Sequence, residues 1–204
     1  LSAPDGRAVA LGRAVAGVNP AGIETVAEFL PDGVGPEGLA AVKAGHIALS
    51  AGGAALSWAF GAQFAEVRVH EETGEIRVAR LTGAFAAGRV LNPLTARSQL
   101  TGGMIWGLSF ALHEEAVMDH RSGRILNANL AEYHVPVNAD VPPMEVITVD
   151  EHDPHVNPLG IKGVGEIGIT GSAGAVANAV FHATGIRVRN FPIKIEDVVM
   201  GLSG

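Results

Sequence analysis

A single carboxylate among closely spaced glycines is the feature of the sequence that most strongly suggests chemistry. Glu166 lies in the segment 158–171. The glycines around it are Gly160, Gly163, Gly165 and Gly168. Because glycine has no Cβ, backbone at such positions can approach a bulky group closely, and a carboxylate held there can accept a proton. On the glycine pattern alone, a surface turn that carries a solvated glutamate explains the segment equally well.

The neighbours of Glu166 favour a role in proton transfer. They are apolar: Ile161, Val164, Ile167 and Ile169. Enclosure by such side chains would remove water from the carboxylate and make it a stronger proton acceptor near neutral pH. We therefore expect Glu166 to be partly buried.

Other patterns in the same region are weaker. Residues 163–168 match G-x-G-x-x-G, but a dinucleotide fingerprint needs a strand directly before it, and Asn157-Pro158 interrupts the approach. Glu166 would also place negative charge beside the phosphates, so we interpret the match as accidental. His152 and His155 lie on a proline-punctuated loop without a clear third ligand, which favours solvated histidines over a zinc site. No G-x-S-x-G sequence supports a nucleophilic serine.

Composition excludes several functional classes. The net charge is −7 and no Lys/Arg cluster occurs, which argues against a nucleic-acid partner. The absence of cysteine excludes disulfides, Fe–S ligands and thiol nucleophiles within this chain. The most apolar run, 100–112, is shorter than the about 20 residues that cross a bilayer. The compartment stays open between bacterial cytoplasm and periplasm, and the first residue, Leu1, favours a start within a longer protein.

A long helix is predicted over residues 94–117. Asn92 is a favourable N-cap and Pro93 suits the first helical position. A core stripe recurs every fourth residue: Leu100, Met104, Leu108 and Leu112. Glycines at 102, 103 and 107 weaken a helix, which indicates that another element or a ligand approaches one face closely.

The other predicted elements give an α+β fold. A β-hairpin is predicted from 63 to 81, with Phe64, Val67 and Val69 on its apolar face and Glu66 and Arg80 among its polar residues. A strand is expected at 145–149, a short helix at 171–185 ending at glycine, and a last helical turn or two at 195–200. Residues 1–57 form a Gly/Ala/Pro-rich segment with candidate edge strands at 9–11 and 47–49, and residues 58–204 form the main domain.

Four ordered motifs carry a resemblance to a known family. They are Gly-Arg-Val-Leu-Asn-Pro at 88–93, Gln-Leu-Thr-Gly-Gly-Met-Ile-Trp-Gly at 99–107, Asn-Leu-Ala-Glu-Tyr-His at 129–134 and Lys-Gly-Val-Gly-Glu at 162–166. In order and spacing, the region 58–200 resembles the C-terminal part of the molybdenum-binding subunit of the xanthine dehydrogenase/aldehyde oxidoreductase family. The bacterial aldehyde oxidoreductases are the most similar members. Four ordered motifs are far more specific than one.

The resemblance implies a molybdenum–molybdopterin cytosine dinucleotide cofactor, with no protein ligand to the metal. Glu166 would act as base toward a molybdenum-bound hydroxyl group, and electrons would leave through [2Fe–2S] and FAD groups on partner subunits. The cofactor would lie along the loop backbone of Lys162, Gly163, Val164 and Gly165. Gln99 would hydrogen-bond it, and its dinucleotide portion would contact residues 89–95: Arg89, Val90, Leu91, Asn92, Pro93, Leu94 and Thr95.

Elementary chemistry agrees with these assignments. The start of a helix offers N–H groups, so residues 92–95 could receive phosphate or pterin oxygens. The Gln99 amide can both donate and accept along a pterin edge.

Three functions remain open. The first is oxidation of aldehydes to carboxylic acids with water as oxygen source, and the second is hydroxylation of purines or other N-heterocycles. The third is a non-catalytic domain for cofactor docking or assembly, because the other glycine- and glutamine-rich cofactor motif of the family is absent from this chain. The remaining part of the molybdenum-binding subunit would then be a required partner.

Overall fold

The computed structural model describes residues 10–22, 24, 57–157 and 159–202. The chain divides into two units, Leu1–Gly53 and Ala54–Gly204. In the first unit, helix α1 spans Leu11–Val18. The prediction of a strand ending at Leu11 is therefore wrong, because apolar residues from Leu11 onward recur at helical spacings of three and four. The rest of that candidate strand, and the candidate strand at 47–49, lie outside the described residues.

The second unit begins with the predicted β-hairpin. Strand β1 (Phe60–Val69) pairs antiparallel with β2 (Ile76–Ala86), and Glu66 faces Arg80 across the pair. The prediction for Phe64 is wrong, since its side chain is 63% exposed. Side chains alternate along a strand, so Phe64 points away from the face that holds Val67 and Val69, and Gln63 points inward instead.

A parallel strand extends this sheet. Strand β5 (Met144–Thr148) pairs with β2, and the sheet order is β1-β2-β5. Two short strands, β3 (Met118–Asp119) and β4 (Arg124–Ile125), form a separate ladder. Because β2 and β5 are parallel, the residues that follow them leave at the same edge of the sheet. That edge holds one side of the candidate site.

Helix α2 (Pro93–Leu112) lies in the connection between β2 and β5. Its N-cap is confirmed: Asn92 Oδ1 accepts the N–H of Leu94 at 3.1 Å and that of Thr95 at 3.2 Å. The helix ends five residues before the predicted Val117, whose N–H donates to Asn127 Oδ1 at 3.0 Å beside the β3–β4 ladder. The predicted core stripe is largely confirmed, since three of its members are fully buried: Leu100, Met104 and Leu108.

Two further helices complete the described fold, which is α+β. Helix α3 (Ser172–Thr184) ends at Gly185, whose φ is +76°, and helix α4 is Ile195–Leu202. The close approach predicted along α2 occurs at Gly103 and Gly107, whereas Gly102 faces open space. Among the described helices, none combines the length and the apolar character needed to cross a membrane.

Candidate cofactor site

A cavity of about 530 Å³ lies between the start of α2 and the glycine-rich loop. One wall is the segment 87–92 with the first turns of α2, and the other is the segment 161–165. Most residues predicted to bind the cofactor line it: Arg89, Val90, Leu91, Asn92, Thr95, Gln99, Lys162, Val164 and Gly165. Three do not: Pro93, Leu94 and Gly163. The fold therefore brings together motifs that are about 70 residues apart in the sequence.

Backbone contacts join the two walls. Gly88 forms a bridge with Ile161, and Arg89 N–H donates to the carbonyl of Gly160 at 2.7 Å. Gly88 and Gly160 have φ values of +65° and +67°. A Cβ on Gly88 would lie 2.3 Å from the carbonyl oxygen of Gly160, so only glycine allows this approach.

Gln99 fixes the loop from the helix side. Its Nε2 donates to the carbonyl of Gly165 at 2.9 Å. Sequence reasoning assigned this amide to the cofactor, but its N–H₂ group contacts the loop. The amide oxygen forms no hydrogen bond with the described residues and can accept one from a ligand.

The N-terminus of α2 offers fewer donors than predicted. The N–H groups of Leu94 and Thr95 donate to Asn92 Oδ1, and Ala96 N–H donates to the carbonyl of Asn92 at 3.0 Å. Pro93 has no N–H. The expectation that the start of this helix offers free N–H donors is therefore wrong at Leu94 and Thr95, because the strong N-cap satisfies them internally.

Unpaired N–H donors lie instead just before that first turn and on the opposite wall of the cavity. Within the described residues, no hydrogen bond uses the N–H groups of Val90, Leu91 and Asn92, or those of Val164 and Gly165. All five residues line the cavity. Backbone N–H groups bind phosphate and pterin oxygens. The donor set therefore fits an anionic, oxygen-rich group.

The glycines of the loop have two different roles. A Cβ on Gly168 would lie 2.6 Å from the carbonyl oxygen of Leu100, so this glycine is required by packing against α2. A Cβ on Gly163 or Gly165 would meet no heavy atom within 4 Å. Nothing among the described residues requires those two glycines, which fits a loop that leaves room for a bound group.

Glu166 follows this open stretch, and its side chain is exposed. The expected enclosure by its apolar neighbours is not formed by this chain, because Ile161, Val164, Ile167 and Ile169 are only partly buried themselves. Its backbone is nevertheless ordered by a turn, since its carbonyl accepts the N–H of Ile169 at 3.0 Å.

Gln63 supports this turn, and sequence reasoning missed it. Its Nε2 donates to the carbonyls of Ile167 and Gly168, both at 3.0 Å. Its Oε1 accepts from the hydroxyl of buried Ser172. A polar residue at an inward position of β1 was the available signal.

The G-x-G-x-x-G segment has a different context from a dinucleotide fingerprint. Residues 163–164 are irregular, a turn begins at Gly165, and α3 begins only at Ser172, beyond Gly168. A fingerprint would open a helix within the motif.

Lys162 does not direct its charge into the cavity. Its side chain is 6% exposed, and its Nζ contacts Glu151 Oε1 at 2.5 Å and Asp153 Oδ2 at 3.0 Å. The hydrogen bond from Lys162 lowers the pKa of Glu151, and the same bond raises the pKa of Lys162. Hydrogen bonds from Ser57 and then Lys162 hold the pKa of Asp153 well below its usual range.

Asp153 also orders the loop that contains His155. His155 N–H donates to Asp153 Oδ1 at 3.0 Å. Across the described parts of the chain, His, Asp and Glu side chains form no cluster of three that could hold a metal ion.

Comparison with known proteins identifies the family. The profile of the molybdopterin cofactor-binding domain matches residues 33–142, which include the wall 87–92 and Gln99 but end before Glu166. The aldehyde oxidoreductase molybdenum-binding subunit PaoC of Escherichia coli (strain K12) is 51% identical over 140 residues, 69% of this chain and 19% of that protein. The putative xanthine dehydrogenase molybdenum-binding subunit XdhA of the same organism is 36% identical over 135 residues, 66% of this chain and 18% of that protein.

A solved structure agrees. Aldehyde oxidoreductase from Desulfovibrio gigas matches with a TM-score of 0.64 and 30% identity, over 72% of this chain and 16% of that chain. This chain thus spans about a fifth of the length of the curated relatives it matches. By its sequence profile, its relatives and its fold, the chain belongs to the molybdopterin cofactor-binding domain family and is similar to the C-terminal part of the molybdenum-binding subunits of aldehyde oxidoreductases and xanthine dehydrogenases.

Proposed function

We propose that this chain is part of a molybdenum hydroxylase that oxidises aldehydes to carboxylic acids, and that its cavity holds molybdenum–molybdopterin cytosine dinucleotide. One observation carries the proposal. Segments 87–92 and 161–165, distant in sequence, together line one cavity, and five backbone N–H groups in its lining have no partner within the described residues.

The residues of the cavity would bind and orient the cofactor. N–H groups on both walls donate to its phosphate and pterin oxygens, and the Gln99 amide oxygen accepts from a pterin N–H. Arg89, which is exposed at the rim, adds positive charge near the dinucleotide. When bound, the molybdenum cofactor supplies the two-electron redox chemistry, which no side chain can provide.

Glu166 is the proposed base. Its carboxylate is positioned at the end of the open loop and takes a proton as oxygen from water is transferred to the substrate carbon. In the net reaction an aldehyde and water give a carboxylic acid, two protons and two electrons. The electrons leave through [2Fe–2S] and FAD groups on partner subunits, which we also propose.

Because this chain leaves Glu166 exposed, the remaining part of the molybdenum-binding subunit is proposed to cover it. Water would then be excluded from the carboxylate only in the assembled protein.

Hydroxylation of N-heterocycles is the second candidate, since one relative is a putative xanthine dehydrogenase subunit. The aldehyde reaction is preferred because the aldehyde oxidoreductase subunit is 51% identical, against 36%. A substrate panel on the purified native assembly separates the two. Turnover of purines without any aldehyde oxidation would overturn the preference.

The third candidate is a non-catalytic docking domain. Molybdenum and nucleotide analysis of the native assembly tests it together with the cofactor. We expect one molybdenum and one CMP per copy of this chain after acid release. An intact assembly with neither would contradict the proposed function and favour docking.

A further inference from the structure

We propose that Lys162 is a positioning residue: with Glu151 and Asp153 it forms an ion-pair clamp that holds the two walls of the cavity together. A lysine in a glycine-rich loop beside a dinucleotide is usually expected to contact phosphate. The clamp itself depends only on the geometry of this chain, whereas its effect on cofactor retention rests on the proposed function.

Three oxygen atoms of the chain surround the ammonium group of Lys162. Nζ donates to Glu151 Oε1 at 2.5 Å and to the carbonyl of Trp58 at 2.9 Å, and it forms an ion pair with Asp153 Oδ2 at 3.0 Å. An ammonium group has three donors. With these three oxygens around it and the side chain 94% covered, the ammonium group is enclosed by the chain and its charge is balanced there.

Glu151 connects this lysine to the opposite wall. Its second oxygen, Oε2, accepts the N–H of Gly88 at 2.7 Å. Gly88 is the residue that bridges to Ile161, next to Lys162. One carboxylate therefore binds Gly88 of segment 87–92 and Lys162 of segment 161–165 at the same time.

Asp153 anchors the clamp to the chain before β1. It accepts from the hydroxyl of Ser57 and from the N–H of His155. Glu151 and Asp153 have side chains 22% and 16% exposed, so two carboxylates lie close together in a poorly solvated place with one cation between them. Removing that cation would leave two uncompensated negative charges, which is far more damaging than removing one carboxylate.

The test compares Lys162→Met, Glu151→Gln and the double variant in the assembled protein. Hydrogen exchange is measured at residues 87–92 and 160–165 in cofactor-free preparations, and molybdenum and CMP content in loaded ones. We expect Lys162→Met to speed exchange in both segments by at least about tenfold and to lower cofactor content. Glu151→Gln should act in the same direction more weakly. The double variant should show slower exchange and higher cofactor content than Lys162→Met alone, because one unpaired carboxylate is gone.

Lys194→Met is the matched control, since Lys194 pairs with Glu115 at 2.9 Å but is 41% exposed and lies outside the cavity. It should leave both readouts unchanged. If Lys162 contacted phosphate directly, Lys162→Met would lower cofactor content without changing exchange in the cofactor-free protein, and Glu151→Gln would rescue nothing. Either result would overturn the clamp. Should Lys162→Met fail to fold, unchanged exchange in Glu151→Gln would overturn it equally.

The two proposals fail separately. A native assembly without molybdenum would contradict the proposed function, yet the exchange measurements on the cofactor-free chain would still decide whether the clamp exists.

Discussion

Glu166 combines a fixed backbone with a free side chain. Its carbonyl closes a turn, and Gln63 and Ser172 hold the two residues that follow. The carboxylate itself is exposed and has no ion pair with the described residues. Such an arrangement fixes the backbone of Glu166 and leaves its carboxylate oxygens available to a reactant.

Replacing Glu166 with Gln should therefore abolish turnover without releasing the cofactor. The amide keeps the shape but cannot accept the proton, so we expect kcat to fall by about 10² to 10⁴ in the assembled enzyme. Molybdenum content should stay at the wild-type level.

The matched control is Glu71→Gln, in the exposed turn between β1 and β2. It should leave kcat unchanged. Wild-type turnover in a fully loaded Glu166→Gln enzyme would contradict the base assignment.

Residue types predicted the contents of the cavity better than their contacts. The motifs at 88–93, 99–107 and 162–166 placed most of its lining, and Asn92 was correctly identified as a helix cap. The partners of Lys162 were not predictable, because a lysine has the same local signature whether its ammonium group contacts a ligand or a neighbouring loop. Only the fold shows that Glu151 and Asp153 follow β5 and reach Lys162.

Helix α2 is the element on which both the core and the site depend. One face buries Leu100, Met104 and Leu108, while Gly103 and Gly107 allow the turn before α3 to pack against its backbone. A Cβ on Gly103 would lie 2.9 Å from the backbone of Gly168, two residues after Glu166. Packing against this helix therefore fixes the position of the turn that carries Glu166.

Two neighbouring glycines of α2 should respond in opposite ways to alanine. Gly103→Ala should destabilise the fold by about 1–3 kcal/mol, because the new methyl group meets backbone that cannot rotate away. Gly102→Ala should stabilise it by up to about 1 kcal/mol, since its Cβ meets nothing and alanine favours the helix.

Denaturant unfolding of the two cofactor-free variants measures the difference. Equal free energies of unfolding would show that the Gly103–Gly168 approach is not tight in solution.

At the level of elements, the sequence predicted the ends of two helices better than it predicted which side of β1 is buried. The cap at Asn92 and the glycine stop at Gly185 both occur, because each depends on local backbone chemistry. The prediction that Phe64 lies on the inward face of β1 was wrong, because adjacent residues of a strand point to opposite sides and differ only in which side is covered. The neighbours that cover one side are distant in sequence.

At the scale of the whole molecule, helix α2 contributes both to the core and to the cavity. Binding of a ligand in the cavity should therefore raise the free energy of unfolding. Unpaired N–H groups on both walls gain partners only when the site is filled. The assembled protein prepared without cofactor should therefore unfold at a lower temperature than the loaded protein, by mass action. Differential scanning calorimetry measures the shift, and Lys194→Met, distant from the cavity, should show the same shift as wild type.

Identical unfolding temperatures for loaded and cofactor-free protein would show that the group does not bind this folded domain. The loaded protein should also exchange more slowly at residues 160–165 than the empty one.

The parallel pairing of β2 with β5 carries a consequence for biosynthesis. Gly88 leaves the first of these strands and Glu151 the second, and their hydrogen bond spans 63 positions of sequence. Gln63 reaches across 105 positions to the carbonyl of Gly168. Contacts of such range form late in folding, because a long loop must close first. On the ribosome, the cavity therefore cannot form until the segment through Ser172 has been made, so insertion of the proposed cofactor would follow synthesis of that segment.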